Sequence, residues 1–402
     1  AARSGAGFHA VGSEVFLFAG RDFVGEAQES AHVLDTQRLE WEGLSGTLQT
    51  TPPGRAAMGM AAGDGKLFVF GGYDIIEGER VMYDDLWIFH RRSMKWELAP
   101  ATSNTSMPVA RSDAALVYND ANHKLYLFCG VAMGFSPIHD MFEYDLETNV
   151  WKDIKDETTP PARYAAGMGS VGHRLYVVGG YVNWVNQNDV LMYDTVSRKW
   201  EDLSPSVSGS VPSPRSNFGF ATIGDSFYIY GGWTGTWGLS SDVFRFDTRT
   251  LTWTELEVPS GPRPPSRYLR GFLAAASGRL FVFGGYSALS VYSKDFWVFD
   301  VERRRWTELA PLVGGAVPVE RYAAGMAAVD GQLFVFGGNV PETASGQTPG
   351  SAIGSLHALI AIQDVPWPRS PAEWAFVYDW DVVHLRPAGP NLLATPVDLC
   401  VG

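Results

Sequence analysis

The chain has 402 residues, 46% hydrophobic and 13% aromatic, with 31 Lys and Arg against 44 Asp and Glu. The net charge of −13 opposes phosphate backbones and anionic bilayers, which excludes nucleic acid and charged membrane surfaces as general partners. Two cysteines, Cys129 and Cys400, cannot build a disulfide scaffold, and no apolar run reaches the roughly 18 residues that a membrane-spanning helix needs.

A four-part pattern returns seven times along the chain: an Arg, an apolar strand ending in two glycines, an aromatic-Asp pair, then a Trp. In chain order the arginines are Arg3, Arg55, Arg111, Arg163, Arg215, Arg267 and Arg321. The glycine ends are Gly20, Gly72, Gly130, Gly180, Gly232, Gly285 and Gly338. The tryptophans are Trp41, Trp96, Trp151, Trp200, Trp253 and Trp306, with Trp380 as a looser seventh. A period of about 50 residues is that of a propeller blade per repeat.

The fourth repeat shows the expected elements most clearly. Residues 163–171 read as a strand of small and apolar residues, and Gly172-His173-Arg174 as a tight turn. Residues 175–180 read as a second, β-rich strand covered on both faces, 189–194 as a third, and 200–203 as a polar fourth. This predicts a four-stranded antiparallel meander. Its small first strand crowds the central channel and its charged fourth strand lies at the rim. The Gly-Gly lets the second strand bend where a side chain would be unfavourable. The Trp and the aromatic before Asp fill the space between blades.

Three repeats depart at single positions: Ala19-Gly20, Cys129-Gly130, and Phe89-His90 in place of aromatic-Asp. The seventh departs more. The best match to its third strand is residues 374–379, followed by a lengthened Trp strand from Trp380, so that 339–373 reads as a long loop insertion. The alternative makes the apolar run 356–362 the third strand; the insertion is favoured.

The Pro-x-x-Arg lead (Pro52, Pro108, Pro160, Pro212, Pro264, Pro318), the Leu-Phe-Val-Phe-Gly-Gly type of strand, the aromatic-Asp and the Trp together resemble the kelch repeat family, over nearly the whole chain. The resemblance implies an all-β, kelch-type β-propeller of seven four-stranded blades. The expected organisation is one propeller over residues 1–390, with insertion 339–373 in its seventh blade and a tail at 391–402. The resemblance implies no particular ligand.

In such a meander the second-to-third loops and the blade-to-blade connections share one face. They are long and aromatic here, and rigidly mounted loops are where recognition usually sits. The candidate partner-binding residues on that face are Tyr73, Ile75, Phe135, Trp184, Trp233, Trp237, Tyr286 and Tyr292. The residue after each leading Arg varies at a fixed structural place, which adds Tyr164, Tyr268 and Tyr322. The arginines themselves invite a ring of positive charge at the channel mouth. The favoured reading is structural, with Asp85, Asp140, Asp189, Asp242 and Asp295 as partners.

For catalysis the sequence offers little. The cysteines do not suit the Tyr-Cys crosslink of a copper radical oxidase, and no Glu-x-x-x-Asp-x-x-x-His iron triad of the specifier proteins occurs. His139 beside Asp140 and the group Asp379, Asp381, His384 are isolated. The expectation is a non-enzymatic scaffold, adaptor or complex subunit that binds another protein. It carries no cofactor, metal or nucleic acid. The alternative is a sugar-active enzyme, mutarotase-like, or a carbohydrate binder with a polar pocket at the channel mouth. The compartment is open. Cytoplasm or an organelle interior fits the composition, and Ala1 in place of Met leaves room for a processed upstream segment.

Overall fold

The computed structural model describes residues 7–20 except 12, 31–44 except 37 and 39, 51–100, 106–235, 238–256, 261–267, 273–286 except 277, 293 and 295–308. Beyond these it describes the strands within 325–340, 351–360 and 374–387. The chain is an all-β propeller. Among the described residues six sheets carry four meander strands each, and a further sheet carries three. The fourth blade consists of Gly167–Val171, Arg174–Val182, Val185–Asp194 and Lys199–Asp202, hydrogen-bonded in that order. All three pairings are antiparallel. The innermost strands follow one another around the channel: Gly7–Val11, Gly59–Gly63, Ala115–Asn119, Gly167–Val171, Gly219–Ile223, Ala274–Ala276 and Gly325–Val329. The last of these lies beside the first, closing the ring.

Composition explains the radial order. The second strand of each complete blade is almost wholly buried, as in Leu67, Phe68, Val69 and Phe70, all at 0% exposure. A strand flanked by a neighbour on each side and a blade on each face needs a continuous apolar run. The fourth strand alternates, with only its Trp turned inward, as in Lys95–Leu98.

The cores lie between blades. Four fourth-strand tryptophans reach back to the aromatic that precedes the glycines of the preceding blade's second strand, while Trp253 shares its core with Val178 at that place. Ring centroids are 5.1 Å apart for Phe18–Trp96, 5.5 Å for Phe70–Trp151, 5.3 Å for Phe128–Trp200 and 5.2 Å for Tyr230–Trp306. The same contact spans the seam, where Trp41 of blade one meets Phe336 of the seventh unit at 6.2 Å. Val15, Leu17 and Leu34 there pack with Ala327, Val329 and Phe334.

The expectation of four strands in every blade is corrected in the seventh. Its sheet is Gly325–Val329, Gln332–Phe336 and Leu356–Ile360. The third strand is therefore Leu356–Ile360, in register from Gln332↔Ile360 to Phe336↔Leu356. Trp374–Asp379, expected in that place, pairs with Val382–Pro387 as a separate hairpin, and Val382–Pro387 lies beside Leu356–Ile360. Loop closure favours this arrangement. The connection from Phe336 to Leu356 is far shorter than one to Trp374, so closing it costs less entropy. The tail at 391–402 lies outside the described residues.

Candidate functional site: an aromatic groove on the loop face

Five leading arginines are described, and all are buried at 3% exposure or less: Arg55, Arg111, Arg163, Arg215 and Arg267. Each donates through Nη2 to the Asp that opens its own blade's third strand: Asp85 at 2.9 Å, Asp140 at 2.6 Å, Asp189 at 3.0 Å, Asp242 at 2.9 Å and Asp295 at 2.6 Å. Nη1 donates to the other carboxylate oxygen, making the pair bidentate. It also donates to the carbonyl of the first residue of the glycine pair: Gly71, Cys129, Gly179, Gly231 or Gly284. These five guanidinium groups are fully engaged, so they form a structural pin in each of their blades and not a charged ring open to ligand.

The glycine pair links neighbouring blades. The amide of the second glycine donates to the next blade's Arg carbonyl, as in Gly180 to Arg215 at 3.0 Å and Gly232 to Arg267 at 3.1 Å. Gly232 has φ +96°, and a Cβ there would stand 2.8 Å from Ser216 O. Only glycine fits that position. The first position is more tolerant: Ala19 and Cys129 occupy it at φ +56° and +54°, in the left-handed region. Burial pushes the Cys129 thiol up to about 12, so it is no nucleophile at neutral pH.

Beyond the glycines, the chain rises onto the loop face. The first residue after the pair bridges to the residue after the leading Arg: Tyr73 to Ala56, Val131 to Ser112, Tyr181 to Tyr164, Trp233 to Ser216. In blade four the second and third strands run on as one long hairpin, with a register shift between Val178 and Gly180. It closes through Asn183-Trp184, between paired Val182 and Val185. Both turn residues are left-handed, at φ +46° and +66°. A two-residue turn of this kind favours Asn-Gly, because glycine alone adopts the second conformation freely. This chain places Trp there, 83% exposed. Tyr181 meets the Trp184 ring edge-on at 6.1 Å, and Tyr164 meets Tyr181 at 5.4 Å.

Tyr164 and Trp184 border a cavity of about 630 Å³ built by blades three, four and five. Tyr164, Trp184 and Phe218 are among its apolar walls, and Asp113, Asn183 and Asn217 among its polar ones. Asp113 and Asn217 both stand two residues after a leading Arg, at φ +54° and +55°. Arg163 also borders the cavity, but Asp189 and backbone carbonyls occupy its donors. Asp113 is exposed and accepts a bond from the Ser112 hydroxyl at 2.9 Å. Among the described residues it has no ion-pair partner.

Of the sequence-derived candidates, Tyr164 and Trp184 meet at this cavity. Trp233, 40% exposed, lies on the adjacent blade-five loop. Tyr73 and Ile75 lie apart, on an added hairpin in blade two formed by Tyr73–Ile76 and Glu79–Met82, where Arg80 covers the Tyr73 ring at 4.0 Å. Ile75 is exposed there with Ile76 and Val81. Tyr286 follows the blade-six glycines and is half-buried. Phe135 sits in a one-turn 3-10 segment, Met133–Phe135, whose Phe side chain is not described. Trp237, Tyr268, Tyr292 and Tyr322 lie outside the described residues.

Sequence reasoning missed Tyr181, Asp113, Asn183 and Asn217. Tyr181 occupies the repeat position already marked by Tyr73, Trp233 and Tyr286, so aligning the repeats on their glycines would have found it. His139, the one histidine placed where a ligand could bind, makes a 3.1 Å hydrogen bond to the Thr159 carbonyl. Among the described residues no three His, Cys, Asp or Glu side chains group as metal ligands would, and no helix is long and apolar enough to cross a membrane.

Comparison with known proteins agrees with this architecture. The family model described as the KLHDC2/KLHL20/DRC7 Kelch-repeats domain matches residues 1–107, 76–273 and 220–361. The leucine-zipper-like transcriptional regulator 1 homolog of Drosophila melanogaster is 26% identical over 290 residues, covering 69% of this chain and 28% of that protein. Kelch domain-containing protein 10 of Xenopus tropicalis is 25% identical over 282 residues, covering 65% of this chain and 66% of the relative. Kelch domain-containing protein 3 of Bos taurus is 26% identical over 303 residues, covering 70% and 76%. The chain thus spans little more than a quarter of the first relative and about two thirds of the second. With the matched segments reaching from residue 1 to residue 361 and the Arg–Asp pins, glycine pairs and interblade tryptophans in place, the chain belongs to the kelch-repeat family.

Proposed function

We propose that this chain is a non-catalytic protein-interaction module, acting as a scaffold, adaptor or subunit of a larger assembly. It holds its partner on the face of the second-to-third-strand loops and blade-to-blade connections, centred on the groove between blades three and five. Kelch architecture in the relatives supports an interaction domain. The single observation that carries the reading is Trp184. A bulky apolar ring at a left-handed turn position, 83% exposed, works against both turn chemistry and solvation. Residues that break local rules without a folding benefit mark sites kept for function. Exposed Ile75, Ile76, Met133, Val185 and Trp233 extend the same face.

The groove is better suited to binding than to catalysis. Its titratable lining residues are Asp113, Arg163 and Tyr164, and Arg163 is already committed to Asp189. Besides it the described lining holds one carboxylate and one phenol, and no histidine, cysteine or lysine for acid–base or nucleophilic work.

The test is site-specific photocrosslinking in the source cell. A benzoylphenylalanine at position 184 is compared with one at Val196, which is 71% exposed in a third-to-fourth turn on the opposite face. One protein captured stoichiometrically from 184 and not from 196 supports the reading. Equal capture at both positions, or none at 184, refutes it.

A further inference from the structure

Resting on that reading, we propose that the groove between blades three, four and five receives a basic side chain, Arg or Lys, projecting from an exposed segment of the partner protein. Two independent features of the groove favour a cation. Its wall includes the rings of Tyr164 and Trp184: Trp184 is largely exposed, and Tyr181 supports both, edge-on to each. An aromatic face attracts a cation through its quadrupole, Trp most strongly. Across the same cavity stands Asp113, exposed and without an ion-pair partner among the described residues. The one cation in the lining among the described residues, Arg163, is buried at 3% exposure and neutralised by its bidentate bond to Asp189. The cavity therefore carries one uncompensated negative charge beside an aromatic wall. The chain's net charge of −13 adds long-range attraction for a basic partner and repels an acidic one.

The volume also fits. About 630 Å³ admits a long side chain with part of its backbone, so the alkyl stem can lie along Phe218 and Met168 while the charged head meets Asp113. Asn183 and Asn217 offer amide groups to the backbone of the incoming segment.

The test uses the whole chain and a bead-displayed library of capped nonapeptides randomised over all residues except Cys. Selections run in parallel on the unaltered protein, Asp113→Asn and Trp184→Ala. Asn is safe at 113, since the equivalent position in blade five is Asn217 with the same left-handed φ, and thermal melting confirms that each variant folds. The expected result is enrichment of Arg or Lys in the selected peptides, with affinity falling at least about tenfold in each variant and weakening as salt is raised. Selected peptides without a basic residue that still depend on Trp184 overturn the basic occupant and leave the binding face standing. Peptides indifferent to Trp184→Ala overturn both. A library that yields no binder overturns the proposal.

Discussion

The Arg–Asp pin of blade five offers a direct measure of what holds each blade together. Arg215 is 2% exposed and Asp242 26% exposed at their side chains. The guanidinium makes two bonds to the carboxylate, one to the Gly231 carbonyl at 3.1 Å, one to the Ser213 carbonyl at 3.0 Å and one to the Ser213 hydroxyl. Asp242→Ala removes the counter-charge and leaves a buried cation bound only to neutral acceptors. A buried pair broken on one side costs about 3–5 kcal/mol. Water already reaches the carboxylate side, which places the expected loss near the lower bound, about 3 kcal/mol. Arg215→Met removes the cation but orphans the Gly231 and Ser213 carbonyls at about 1–2 kcal/mol each, for a similar loss of about 3 kcal/mol. The double variant Arg215→Met/Asp242→Ala leaves no unpaired charge, so its loss falls short of the sum by about 2 kcal/mol or more. Guanidinium unfolding followed by tryptophan fluorescence reads the three losses. Hydrogen exchange at the Gly180 amide, which bonds to Arg215 O, reports whether the blade-four link loosens with them. Single losses below about 1 kcal/mol, or a double variant additive within about 0.5 kcal/mol, would show that the pin is not a cooperative structural unit.

Three further outcomes follow from the geometry. Gly232→Ala drives a Cβ to 2.8 Å from Ser216 O at φ +96° and is expected to destabilise by more than about 2 kcal/mol, whereas Cys129→Gly, at a φ of +54° that L-residues tolerate, shifts stability by about 1 kcal/mol or less; comparable melting shifts for the two would refute the distinction. Asp145 and Asp194 cap third-to-fourth turns, and backbone amides, those of Thr148 and Ser197 foremost, hold both carboxyls below the ordinary range, Asp145 at about 2. A depressed carboxyl stabilises the fold fully above its unfolded value and loses that contribution as pH falls through the folded value, so stability should decline between about pH 4 and pH 2, and Asp145→Asn/Asp194→Asn should flatten that limb; an unchanged acid profile contradicts the assignment. Trp184→Gly gives the hairpin its preferred turn residue and should leave the melting temperature level or raised while partner capture falls; a lower melting temperature would make Trp184 a structural residue.

Repetition made much of this molecule readable. The Arg, Gly-Gly, aromatic-Asp and Trp recur because each blade solves the same local problem. A bend needs glycine, a buried guanidinium needs a carboxylate of its own blade, and a wedge between blades needs a large ring. Arg163 pairing with Asp189 and Trp151 packing on Phe70 follow from that logic, and the loop face was identified by the alternation of short and long connections. Two matters were not local. In the seventh unit two apolar runs compete for one strand position, and choosing Leu356–Ile360 depends on the length of the connection and on the sheet already formed by Gly325–Val329 and Gln332–Phe336. The groove joins Asp113, Trp184 and Asn217 from three successive blades. Asp113 and Asn217 hold the same repeat position in blades three and five, and Trp184 holds a loop position in the blade between them, which shows only that all three belong to the loop face. Whether their side chains converge is decided by how far each loop rises, and in blade four that rise comes from the strands running past Gly180 to a turn at Asn183-Trp184. Local chemistry determined the blade, and packing between blades determined the cavity.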